Sequence, residues 1–154
     1  MKRVLIIILV LALVFVGTGI CIDKLSRKVF YEAMDSLEHM DYFTLDIHGY
    51  AVETIEIKDP DTIAVVKEAV LKTSYDKIVL RLDVPTLLKL DNKIYAISMF
   101  DEKGYELMSL IVSLDANYNY VWNAPDLHDW LKIAIENTDC LVNILDEVWI
   151  EDTD

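Results

Sequence analysis

The chain is poor in the residues that punctuate or staple a fold. Its 154 residues include four glycines, three prolines and two cysteines. Gly17 and Gly19 fall within the first 28 residues, which leaves Gly49 and Gly104 for the remainder. A backbone that wraps phosphate needs several glycines close together, so a P-loop or a dinucleotide-binding turn is excluded. The sequence also has no nucleophile elbow and no HExxH zinc motif. Cys21 lies early and Cys140 late, so residues 29–154 hold one thiol and no internal disulfide. Leu141 and Val142 follow Cys140, which is expected to be a small buried residue.

Positive charge is scarce beyond residue 28. Residues 29–154 carry nine of the 14 Lys and Arg but 26 of the 27 Asp and Glu, a balance of −17. Such a surface repels phosphate, which argues against nucleic acid as a partner and against anionic lipid as a docking site for this region. It favours basic partners or cations, and it keeps neighbouring copies apart on a crowded surface.

Charge is missing altogether from Val4 to Ile22, a run of 19 residues. At 1.5 Å per residue, a helix of that length spans roughly 28 Å, close to the ~30 Å hydrocarbon core of a bilayer. Only Gly17, Thr18 and Gly19 interrupt its apolar character, so it lacks the polar stripe of a soluble core helix. Residues 4–22 are therefore expected to engage the membrane as a single-pass signal anchor. The alternative is a signal peptide cleaved near Gly17–Gly19, which would release a secreted protein. Lipid attachment at Cys21 fits badly, because β-branched Ile20 precedes it. Lys2 and Arg3 stand before the run and Lys24, Arg27 and Lys28 after it, so the distribution of cations does not orient the helix. The three-residue leader is the layout of a signal anchor, and the C-terminal domain is expected to be extracytoplasmic.

The chain thus divides into an anchor with its flanks, residues 1–28, and one acidic domain, residues 29–154. Phe30, Ala33, Met34 and Leu37 repeat at helical spacing and are expected to continue the membrane helix as a short stalk. Phe43, Leu45 and Ile47 alternate with polar residues as in a strand. The faces exchange before Thr54–Lys58, so residues 43–58 predict two short strands or one bulged strand, with a turn at Gly49. Asp59-Pro60-Asp61 predicts a capped helix from Pro60 to Lys72, burying Ile63, Val66 and Val70. A β-rich stretch follows from Lys77, limited by Pro85, with a short apolar stretch at Leu87–Leu90 and a turn at Asp91-Asn92. Lys93–Phe100 and Tyr105–Leu114 flank Asp101-Glu102-Lys103-Gly104 and predict a hairpin. A turn is expected at Asp115-Ala116-Asn117 and a strand at Tyr118–Trp122. Asn123-Ala124-Pro125-Asp126 predicts a second helix start, with Leu127, Trp130, Leu131 and Ala134 on one face. Leu141, Ile144, Leu145 and Val148 predict a C-terminal helix. The fold class is α+β: a transmembrane helix followed by an antiparallel sheet packed against two or three helices.

Two constellations are candidates for a site. Asp115, Asn117, Asn119 and Asp126 place oxygen donors at positions 1, 3, 5 and 12 of an EF-hand-like loop. Tyr120 stands where that loop needs Gly, and strand character between the donors would pull them apart. Tyr118, Tyr120 and Trp122 alternate along one predicted strand face, and Tyr105 can join them from the hairpin. Such a stripe binds peptide or sugar, or else packs as the face of a sheet. His39, His48 and His128 show no shared spacing that would gather them on zinc. No cofactor is called for and no catalytic residue emerges.

The segments Ile55–Lys72, Tyr95–Leu114 and Trp122–Ile135 together give the chain a resemblance to a loose group of uncharacterised small anchored or secreted proteins of Gram-positive bacteria. That resemblance implies an extracytoplasmic α+β domain and carries over no catalytic residues. The expected function is a membrane-tethered, non-catalytic interaction domain with a protein or peptide partner outside the cytoplasm. The alternatives are a small enzyme acting on the envelope and a cation-binding acidic domain.

Overall fold

A computed structural model describes residues 2–48, 54–80, 93–114, 119–128 and 131–153. The expectations at Gly49, Leu82–Asn92, Asp115–Tyr118 and Trp130 lie outside these. The fold is α+β: a long N-terminal apolar helix, a seven-stranded antiparallel sheet and two shorter helices.

Helix α1 runs without a break from Lys2 to Ser36. Its apolar half is exposed from Ile7 to Cys21 and long enough to cross a membrane, as an anchor or as a signal sequence. Its second half continues the apolar run as one helix, as expected, but packs into the domain rather than standing as a stalk. Ser26, Val29, Phe30, Ala33 and Met34 are buried, as is Leu37 in the short 3-10 turn Leu37–His39. Each large apolar side chain taken from water contributes about 1.5–3 kcal/mol, so this stretch is part of the domain core.

The strands are β1 (Tyr42–His48), β2 (Thr54–Ile57), β3 (Ser74–Leu80), β4 (Ile94–Phe100), β5 (Glu106–Ser113), β6 (Tyr120–Asn123) and β7 (Leu131–Glu136). In space they run β2-β1-β4-β5-β6-β7-β3, so consecutive strands β2 and β3 form opposite edges. At about 4.8 Å per strand, those edges stand roughly 29 Å apart. Helix α2 (Pro60–Leu71) joins them and must cross the sheet face, which explains its buried stripe of Ile63, Val66, Ala69 and Val70. Asp59 caps it as expected: its carboxylate accepts the Thr62 N–H at 2.9 Å, and that bond holds the Asp59 carboxyl below the usual range.

Residues 43–58 resolve into two strands, with Leu45 opposite Ile55 and Phe43 opposite Ile57. Phe43, Leu45 and Ile47 of β1 line up with Met99, Ile97 and Tyr95 of β4 on the helix-covered face. The β4–β5 hairpin closes as its sequence predicts. Asp101 Oδ1 accepts the backbone N–H groups of Lys103 and Tyr105, and Gly104 takes φ +79°, the left-handed value that suits glycine.

Two expectations are corrected. Asn123–Asp126 does not open a helix: Asp126 takes φ 64°, which a helix cannot contain, and Leu131–Glu136 is strand β7. Leu131, Ile133 and Ile135 alternate with Lys132, Ala134 and Glu136 as a strand requires, and Lys132 is buried with its neighbours. The C-terminal helix expected on Leu141, Ile144, Leu145 and Val148 is present as α3 (Asp139–Thr153), with Leu141 and Leu145 buried. Cys140 is exposed, because it sits on the opposite side of α3 from Leu141 and Val142.

The entry of α1 into the domain is fixed at one corner. Tyr75, near the start of β3, donates its hydroxyl to Asp23 at 2.6 Å. The Arg27 guanidinium lies 4.4 Å from the centre of its ring, and Phe30 meets the ring edge at 6.0 Å. Burial, then the bond to Asp23, pushes the Tyr75 hydroxyl above its ordinary range. At the other end of α1, Asp41 N–H bonds Phe100 O at 2.8 Å, beside the β4–β5 hairpin. The fourteen-residue rise from Asp23 to Leu37 separates these two ends by about 21 Å.

If α1 is a core element, Phe30→Ala should destabilise the full-length protein in detergent by about 3–5 kcal/mol, measured by urea unfolding. Leu13→Ala, in the exposed half, should leave the unfolding midpoint unchanged.

Candidate functional site

The structure sets the aromatic candidates in different surroundings. Tyr120 is buried on the sheet face opposite the helices, in register with Ile111 of β5 and Ala134 of β7. Trp122 is half-buried beneath Lys132, whose ammonium lies 4.6 Å from the ring centre and donates to Trp122 O. Tyr105 is 69% exposed, but it precedes β5 at the hairpin, away from Tyr120. Tyr118 lies outside the described residues. Among the described members of the stripe, only Tyr105 therefore offers an open ring.

Of the oxygen donors, Asp115 and Asn117 lie outside the described residues. Asn119 is buried and committed to the protein: Oδ1 accepts Ser113 N–H at 2.8 Å and Nδ2 donates to Thr138 Oγ at 2.6 Å. These bonds tie the start of β6 to the end of β5 and to the residue before α3. Asp126 follows the other end of β6, so the strand separates it from Asn119. Among the described residues, no three His, Cys, Asp or Glu side chains gather closely enough to hold a metal ion.

Among the described residues several grooves remain. One, of about 530 Å³, lies between residues 38–41 and the turn at 101–103. Two others bear on the site, neither marked by a sequence motif. The first, about 590 Å³, runs along the outer side of α2. Met40, Pro60, Ile63, Ala64 and Leu71 form its apolar lining, and Lys58, Lys67, Asp41 and Glu68 stand around it. Lys67 spans to the chain leaving α1, donating to Glu38 O at 3.2 Å, while Lys58 pairs with Glu56. Leu71 is 50% exposed at one end of the groove. The floor combines one turn-separated stripe of α2 with Met40 from beyond the 3-10 turn, a pairing set by tertiary packing and invisible to local spacing. The second groove, about 500 Å³, is polar and lies where β3, β6 and β7 meet, with Asp76, Lys77, Asn137 and Asp139 among its lining.

Away from both grooves, Asp146 of α3 holds the start of β4. It accepts the Tyr95 hydroxyl and the Lys93 ammonium. These two bonds, Lys93 first, keep its carboxyl below the usual carboxylate range. Burial and the same bond push the Tyr95 hydroxyl upward.

Asn119→Ala should cost about 1–3 kcal/mol of stability, because the Ser113 N–H loses its acceptor inside the protein. The Asp146 contribution should follow pH with a definite sign. A depressed carboxyl stabilises the fold above its unfolded value of about 3.9, and that stability is lost as pH falls through the lower folded value. The gap in unfolding midpoint between the protein and Asp146→Asn should therefore be widest near neutral pH and close under acid, as thermal scans across the range would record.

Comparison with family models, with curated proteins and with solved structures finds no match to this chain.

Proposed function

We propose that the protein is a single-pass, membrane-tethered domain held on the extracytoplasmic side, where it binds a protein or peptide partner without catalysing a reaction. The observation that carries this reading is the continuity of α1, whose exposed apolar half passes directly into the buried half that forms part of the core. A cleavable leader has no need to share a helix with the domain it precedes, whereas an anchor that does so fixes the domain to the bilayer. The acidic balance of residues 29–154 suits a basic or apolar partner. The groove along α2 provides apolar surface flanked by charge, the composition of a small recognition site. Its Met40 and Pro60 end lies at the far end of α1 from the apolar run, where a partner has free approach.

Intact cells carrying the Cys21→Ser, Cys140→Ser, Glu102→Cys protein should react with a membrane-impermeant thiol reagent, with the full-length chain in the membrane fraction. Protection of Glu102→Cys until lysis would put the domain in the cytoplasm and sink the extracytoplasmic reading. A photo-crosslinking side chain in place of Ala64, in the α2 groove, should yield a discrete higher-mass adduct in the native membrane. The same group at exposed Glu102 should not. Identical behaviour at the two positions would remove the groove from the proposal.

A further inference from the structure

The apolar run ends at Ile22, and the domain begins within a turn of that point. Asp23 is already bonded to Tyr75, and Ser26 is only 4% exposed. At 1.5 Å per residue, Ser26 lies about 6 Å beyond Ile22 along the helix. A bilayer has a ~30 Å hydrocarbon core within a total thickness of about 40–45 Å, so each headgroup layer is roughly 5–7 Å deep. The geometry leaves no aqueous gap between the hydrocarbon boundary and the corner built on Tyr75.

We propose that this corner, formed by the end of α2 and the start of β3, lies within the phospholipid headgroup layer and is covered by lipid. The inference rests on the reading of α1 as a retained anchor. Tyr75 is itself buried, with its hydroxyl on Asp23 and its ring against Arg27 and Phe30, so it fixes the height of the corner on α1 rather than meeting lipid. The charges of the corner suit such a depth. Arg27 pairs with Asp23, Lys28 with Glu32, Lys72 with Glu68 and Lys77 with Asp76. Cations and carboxylates alternate there in near balance, in contrast to the acidic excess of the domain as a whole. That pattern complements a zwitterionic headgroup, which presents a phosphate and an ammonium side by side. Leu25, 61% exposed on α1, adds apolar surface at the same level.

The test uses the full chain with Cys21→Ser and Cys140→Ser, reconstituted in phosphatidylcholine vesicles containing a fraction of lipid with a nitroxide on its headgroup. A fluorescent thiol label is placed at Lys72→Cys in one sample and at Glu102→Cys in another. Lys72 is three residues before Tyr75, and Glu102 lies in the hairpin beside the far end of α1. With about 20 Å of helix between the two levels, headgroup quenching at Lys72→Cys should exceed that at Glu102→Cys by at least about twofold. Equal quenching at the two sites, in protein that resists alkaline carbonate extraction, would overturn the docked corner while leaving the anchor intact. Release of the protein by carbonate would overturn the anchor reading and this inference together.

Discussion

One unbroken helix has to satisfy two apolar surroundings. Its first half is apolar on every side, as in a membrane anchor or a signal sequence, and its second half is apolar along one stripe, as a sheet demands. The change of pattern falls between Ile22 and Ser26, where Asp23 and Arg27 meet Tyr75. Much else follows from that junction. It fixes where the domain starts, which corner stands nearest the end of the apolar run, and which end of the sheet points away from it. Phe30 and Leu37 then seat the helix against the same core that α2 and α3 cover.

The sheet order places a second constraint on the molecule. Because β2 and β3 are consecutive in sequence and furthest apart in space, the segment between them has to span the whole face. Helix α2 is that crossing, and its capping by Asp59 and Pro60 sets where it begins. The apolar groove is a by-product of this route. A helix laid across a sheet leaves one flank uncovered where the strands beneath it run out, and Met40 closes that flank from the opposite side.

Local chemistry made much of the fold legible in the sequence. The Asp59-Pro60 cap, the Asp101–Gly104 turn, the alternation of Phe43, Leu45 and Ile47, and the C-terminal helix each follow from a signal of a few residues. The strand β7 carried two conflicting signals: Leu131, Ile133 and Ile135 alternate with Lys132, Ala134 and Glu136, while Leu127, Leu131 and Ala134 fall at helical spacing by coincidence. The core role of Phe30 and Met34 was half legible. Their periodicity announced a helix, but whether lipid, water or a sheet would receive the stripe depended on strands far along the chain. The grooves were illegible for the same reason, since Met40 and Ile63 come together only through tertiary packing. Asn119 has the side chain of an oxygen donor to a metal, but its oxygen and nitrogen are spent on Ser113 and Thr138.

The continuity of α1 also makes the helix an axle. Each residue of an α-helix turns the chain by 100° and advances it 1.5 Å. With α1 retained as the anchor proposed above, adding one residue within the apolar run would leave the domain almost at its former height but swing it by more than a quarter turn relative to the face the helix shows its neighbours in the bilayer. The α2 groove would then open in a different compass direction. On that reading, the number of residues between the apolar run and Asp23 is an angular setting, one that would phase whatever the domain meets to whatever the anchor meets.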